Sequence, residues 1–140
     1  MPYKDSNIKS IYNQLTMSFR GNFEIIFRAY NYGVAYRFID NNTNIEAITN
    51  KNMELVFPEG SKSFFPKDNS MYSDNESLYI RTSVSHIKKG DFCHLPVMFD
   101  IGKNKVLFTE ASLRNYPGMF PEKGAGGCVR CFRVTTSSYM

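Results

Sequence analysis

No tryptophan occurs in the 140 residues, and there are only three cysteines and two histidines. Three cysteines are too few for a disulfide framework. Cys128 and Cys131 have the spacing of half a zinc site, but a structural zinc site takes about four ligands. Cys93, His86 and His94 stand far off in sequence with no second paired motif, so the two thiols read as incidental. Neither histidine has a serine or cysteine nucleophile in a motif around it, and satisfied or exposed histidines are the expectation. One-sided charge is lacking as well. The 17 Lys and Arg against 13 Asp and Glu leave a net charge of +4, scattered along the chain, which does not point to nucleic acid. No apolar run approaches the roughly 18–20 residues a helix needs to span a bilayer, so no membrane partner is expected. The start, Met1 to Asn7, has no charged-then-apolar segment, and no export signal is expected in this chain. Gly124 to Gly127 lacks the Lys-Ser/Thr and the following helix of a phosphate loop.

What the chain does have is strand-forming aromatic material, with 12 Phe and 9 Tyr. That is ample for one folded core in a single domain of this length. Two-residue alternation runs from Leu15 onward. In Phe23 to Tyr30, the side chains of Phe23, Ile25, Phe27 and Ala29 share one face. Asn31-Tyr32-Gly33 then turns the chain into Val34 to Ile39, which predicts an antiparallel hairpin. Asp40 to Asn44 reads as a polar turn, with short strands expected over Ile45–Thr49 and Met53–Phe57. Pro58 to Asn75 reads as irregular, with Phe64-Phe65 packing against the sheet. Leu78 to Val84 alternates again, with Leu78, Ile80, Thr82 and Val84 on one face. Cys93–Phe99 and Lys105–Phe108 predict a second hairpin, with Pro96 at an edge or a bulge. Many short strands between turns predict an all-β antiparallel sandwich. Glu122 to Gly127 reads as a flexible spacer, and the basic, hydroxyl-rich Cys128–Met140 as a weakly patterned tail with room for one strand.

Thirteen acidic residues are present. Asp40, Glu59, Asp68, Asp74, Glu76, Asp91 and Asp100 fall in turns and read as solvated charge. Glu110 differs, because it ends the strand Val106–Phe108 just ahead of a short helical turn near 111–116 and the closing Pro117-Gly118. A carboxylate at a strand end is well placed to bind a ligand. The residues fit equally well a carboxylate at a helix N-terminus, held by free backbone amides. Tyr30, Tyr32, Tyr36, Tyr72, Tyr79 and Tyr116 have the chemistry to stack on sugar rings, though tyrosine is also a common strand former that packs.

Three blocks carry a resemblance. The first is Tyr12-Asn-Gln-Leu-Thr with Phe23-Glu-Ile-Ile-Phe-Arg-Ala-Tyr-Asn-Tyr-Gly-Val-Ala-Tyr-Arg-Phe38. The second is Leu95-Pro-Val-Met98. The third is Val106-Leu-Phe-Thr-Glu-Ala-Ser-Leu-Arg-Asn-Tyr-Pro-Gly-Met119. Together, from about Asn7 to Pro121, they resemble the N-terminal domain of glycoside hydrolase family 97, which contains α-glucosidases and α-galactosidases.

The resemblance implies a partial family β-sandwich over residues 1–121, a domain that in the intact enzyme packs on a catalytic (β/α)8 barrel. It implies a non-catalytic role, since the family's catalytic acid and base belong to the barrel, which also meets the α-linked oligosaccharide. It implies one calcium-ligand carboxylate, at Glu110 by motif position, with Asn115 a second candidate on the same rim. Calcium is thus expected only in the context of an intact enzyme. Family members are generally exported. Residues 122–140 depart from the family's continuation and read as an off-pattern tail, for which a frameshift near Gly124 is the expected origin. Strands separated from their partners would leave open edges, so self-association is expected. Two alternatives carry different predictions: a free-standing carbohydrate-binding module with a tyrosine platform, and an active small hydrolase.

Overall fold

The computed structural model describes residues 9–42, 53–111, 118–124 and 128–133. Within them the regular elements are strands, apart from one 3-10 turn at Val84–His86, and the strand pairings are antiparallel. The expected all-β antiparallel sandwich is therefore the fold. The chain divides into two compact units, residues 1–47 and 48–140.

The first unit is a three-stranded meander of β1 (Asn13–Phe19), β2 (Phe23–Tyr30) and β3 (Gly33–Asp40), in that order. Gly21 and Asn22 both take positive φ, 87° and 60°, in the turn between β1 and β2. Glycine and asparagine adopt that conformation at least steric cost. The second turn is the predicted one, with Tyr30 paired to Gly33 across Asn31-Tyr32. The Asn42 side chain donates to the Gly21 carbonyl at 2.9 Å and to Asp40 Oδ1 at 2.7 Å, closing the open end. The register places Leu15 opposite Phe27 and Phe27 opposite Tyr36, with Met17, Ile25 and Phe38 aligned beside them. These side chains share one face, because strand residues alternate. The other face carries Gln14, Thr16, Arg28, Tyr30 and Arg37, with the half-buried Ile26 and Ile39 among them.

The second unit holds two sheets. One orders β10 (Lys105–Phe108), β9 (Val97–Asp100), β5 (Lys62–Phe65) and β7 (Ile80–Ser83). The other orders β4 (Met53–Val56), β12 (Cys128–Arg133), β11 (Met119–Lys123), β8 (Phe92–Cys93) and β6 (Lys67–Asp68). Phe65, Val97 and Phe99 from the first sheet meet Cys93 and Val129 from the second, with Val84 and Ile87 completing the core. Phe57 stacks on Phe99 with ring centroids 4.1 Å apart.

Several expectations need correction. Pro58–Asn75 is not wholly irregular: it contains β5 and β6, and Phe64-Phe65 belongs to the sheet rather than resting against it. The strand's inward positions are Ser63 and Phe65, both buried. A serine in an inward slot hides the apolar alternation. The predicted strand Cys93–Phe99 is two strands in different sheets, β8 and β9, and Pro96 lies between them, following a cis peptide bond from Leu95. A residue without an N–H suits the crossover better than a ladder. β7 is shorter than Leu78–Val84 and lies at a sheet edge, so Leu78 and Ile80 remain exposed while Val84 is buried. Glu122 and Lys123 end β11 instead of starting a spacer. Lys123 is buried, and its Nζ donates to the Val84 carbonyl at 2.7 Å. The tail does form a strand, β12, which pairs with both β11 and β4. The expected strand Ile45–Thr49 lies outside the described residues, as does the helical turn near 111–116 beyond Ala111.

Candidate functional site

β10 ends at Phe108 and hands the chain to Thr109 and Glu110. Nine residues later β11 begins, and the Met119 backbone N–H donates to Glu110 Oε2 at 2.7 Å. Hydrogen bonds from a backbone amide to a charged carboxylate are among the stronger ones. This one fastens Glu110 to the start of the next strand. The helix-terminus alternative read from the sequence falls on residues 112–117, outside the described residues. A cleft of about 330 Å³ opens beside it, bordered by Glu110, Thr109, Met119, Phe120, His94 and Pro96. Of the described residues bordering the cleft, Glu110 is the one carboxylate. Asn115, the second candidate, lies outside the described residues.

Behind the cleft wall is a polar group that sequence reasoning missed. His94 Nδ1 lies 3.1 Å from Asp68 Oδ2, and each side chain is 5% exposed. The same carboxylate accepts the Ser73 hydroxyl at 2.5 Å and the Asn69 amide at 3.0 Å. These bonds, the Ser73 hydroxyl foremost, hold the Asp68 carboxyl below its ordinary range, although burial pushes the other way. An ionised carboxylate only accepts hydrogen bonds, so the proton between the pair resides on His94 Nδ1. The Ser73 hydroxyl in turn accepts the Asn75 amide at 3.3 Å. Asn75 has φ of 58° and borders the cleft. Asp68 was expected to be solvated turn charge; instead it anchors the loop 69–75 and one histidine. The signal was weak because β6 is a two-residue strand with no alternation to show which face is buried. His94 is the satisfied histidine that was expected.

Two other aspartates expected as solvated turn charge are instead half-buried and ion-paired. Asp91 pairs with Lys67 at 2.7 Å and Asp100 with Arg81 at 3.2 Å, and these partners lower both carboxyls. Among the described residues no group of three His, Cys, Asp or Glu side chains could hold an ion. Cys93 is buried in the core. Calcium takes six to eight oxygen ligands. Glu110 fits that chemistry as one oxygen donor and no more.

The tyrosines separate into distinct environments. Tyr36 lies between Phe27 and Phe38 on the apolar face of the first unit. Tyr79 donates its hydroxyl to the Pro96 carbonyl at 3.1 Å and meets His94 edge-on. Tyr72 is exposed, and Tyr116 lies outside the described residues. Tyr30 and Tyr32 come together with Tyr12, a residue absent from the sequence-derived set.

Comparison with known proteins places this geometry. The pattern of the glycosyl-hydrolase 97 N-terminal family matches residues 1–136. The retaining alpha-galactosidase of Bacteroides thetaiotaomicron is 31% identical over 134 residues, an alignment covering 89% of this chain and 20% of the relative. The chain therefore spans about one fifth of the length of the curated relative it matches. The chain belongs to the glycosyl-hydrolase 97 N-terminal family.

Proposed function

We propose that this chain is a non-catalytic scaffold domain of a family 97 α-glycosidase, which packs on the catalytic barrel and lends it the Glu110 carboxylate as one calcium ligand. The observation that carries the reading is the fixed position of Glu110. It ends β10, it is fastened to the Met119 amide at 2.7 Å, and it borders a cleft. A carboxylate held this way can be presented to a second domain without an ordering cost at the moment of binding.

The non-catalytic part of the reading rests on the carboxylate count. Retaining hydrolysis uses two carboxyl groups about 5 Å apart across the scissile bond. Glu110 is the one carboxylate among the described residues that line the cleft. Asp68, a buried carboxylate behind the cleft wall, is committed to His94, Ser73 and Asn69. When bound, calcium supplies positive charge that polarises the leaving group or the acid that protonates it. Glu110 contributes one hard oxygen arm, and Met119 keeps that arm in place.

The test is a chimera. Residues 1–136 replace the aligned segment of the Bacteroides thetaiotaomicron relative, and α-galactoside hydrolysis is followed during calcium titration. Glu110→Gln is expected to raise the calcium concentration needed for half-maximal activity by at least about tenfold, the equivalent of about 1.4 kcal/mol. An unchanged calcium requirement would contradict the reading.

A further inference from the structure

We infer that Tyr12, Tyr30 and Tyr32, on the first unit, form a stacking platform for the sugar rings of an α-linked oligosaccharide. The α-linkage rests on the proposed function; the stacking surface does not.

The sheet of the first unit is two-faced. Leu15, Met17, Ile25, Phe27 and Phe38 share the face on which a core would form. Tyr30 is on the opposite face with Gln14, Thr16 and Arg28, where apolar packing does not require a large aromatic. There the rings cluster, Tyr12 tilted against Tyr30 and Tyr32 stacked on Tyr30. Tyr12 and Tyr30 have centroids 5.4 Å apart at an interplanar angle of 57°, and Tyr30 and Tyr32 are 5.8 Å apart at 27°. The Arg28 guanidinium lies 4.5 Å over the Tyr12 ring, and its Nε donates to Gln14 Oε1 at 2.9 Å. The row is thus held by its neighbours before anything binds.

Cross-strand aromatic packing that merely supports a hairpin accounts for Tyr12 and Tyr30. For Tyr32 it accounts only for the ring face turned to Tyr30. That residue occupies a two-residue hairpin loop, where small turn formers are preferred, and it is 88% exposed. A tyrosine there contributes neither turn geometry nor core. What it offers is a ring face and a hydroxyl at the rim of the row. A pyranose ring presents a C–H face bordered by hydroxyls. Tyrosine rings match the face, while phenol hydroxyls, the Gln14 amide and the Arg28 guanidinium match the border. The sequence alone offers a tyrosine platform only as an alternative to packing, and Tyr12 is not in its set.

The experiment is NMR titration of the 140-residue chain, with carbon-13 in its tyrosine rings, using maltotriose and raffinose separately. The expected result is saturable millimolar shifts at Tyr12, Tyr30 and Tyr32, without shifts at the exposed but isolated Tyr72. Tyr32→Ala should weaken binding about tenfold, the loss of one aromatic stacking contact, with the other ring signals in place. Glu110→Gln should leave the affinity unchanged. Three results would overturn the platform: no saturable shift with either sugar, full affinity in Tyr32→Ala, or shifts abolished by Glu110→Gln. None of the three bears on whether Glu110 serves a calcium site, which the chimera tests separately.

Discussion

The imidazole of His94 and the carboxylate of Asp68 meet at 3.1 Å in the interior of the second unit, 26 positions apart in sequence. Asp68 receives Ser73 and Asn69 as well, so one carboxylate ties the end of β6, the loop after it and the segment following β8. Removing a buried partner of this kind strands the other polar groups. Asp68→Ala is expected to destabilise the unit by about 3 kcal/mol, read by thermal or urea unfolding. Ser73→Ala, which removes one donor to a charged acceptor, should cost roughly 1.5 kcal/mol. An Asp68 variant as stable as the parent would contradict this account.

The pair also sets an acid limit. The Asp68 carboxyl titrates below its ordinary value of 3.8 in the folded chain, because Ser73, His94 and the Asn69 amide favour its charged form over the burial that opposes it. The unfolded chain therefore binds more protons in that range. The stabilisation is complete above the unfolded value and is lost as pH falls through the folded one. Asp91 beside Lys67 and Asp100 beside Arg81 shift the same way. Unfolding free energy should stay level from neutral pH to about 4.5 as far as these carboxyls decide it, then fall steeply below 3.8. Asp68→Asn should lower the plateau and flatten the fall, as measured by urea unfolding across the pH series.

How legible the structure was depended on alternation. β2 and β3 could be read because Phe23, Ile25, Phe27 and Ala29 recur at a period of two and Asn31 and Gly33 mark the turn. β10 and the strand-end position of Glu110 could be read from the short apolar run Val106–Phe108. β5 was obscured by serine at inward positions 61 and 63, and β6 by its two-residue length. The split between β8 and β9 depends on tertiary placement: Cys93 and Val97 both point into the core but from different sheets. The row of Tyr12, Tyr30 and Tyr32 needed register, because Tyr12 precedes β1 and has no local signal. The Asp68–His94 pair needed the third dimension altogether.

The strand at Cys128–Arg133 lies between β4 and β11, with Val129 fully buried in the core. A chain ending at Gly127 would expose that core position and leave two strand edges unpaired. It is expected to lose cooperative thermal unfolding, followed by circular dichroism. Retention of the full-length unfolding midpoint would show that β12 is dispensable.

The apolar face of the first unit carries Leu15, Met17, Phe19 and Phe38, each between 40% and 57% exposed. Contiguous apolar surface of this kind drives association. The isolated chain should scatter light as an oligomer, and Leu15→Lys with Phe38→Lys should shift it toward monomer. A monodisperse monomer at the outset would contradict this expectation.

The central claim is that this domain presents a carboxylate to chemistry performed by another domain. The direct measurement is turnover of nitrophenyl α-galactoside and nitrophenyl α-glucoside by the purified chain with calcium present. The account predicts no release of nitrophenol above the buffer rate. Steady turnover that disappears in Glu110→Gln would contradict it.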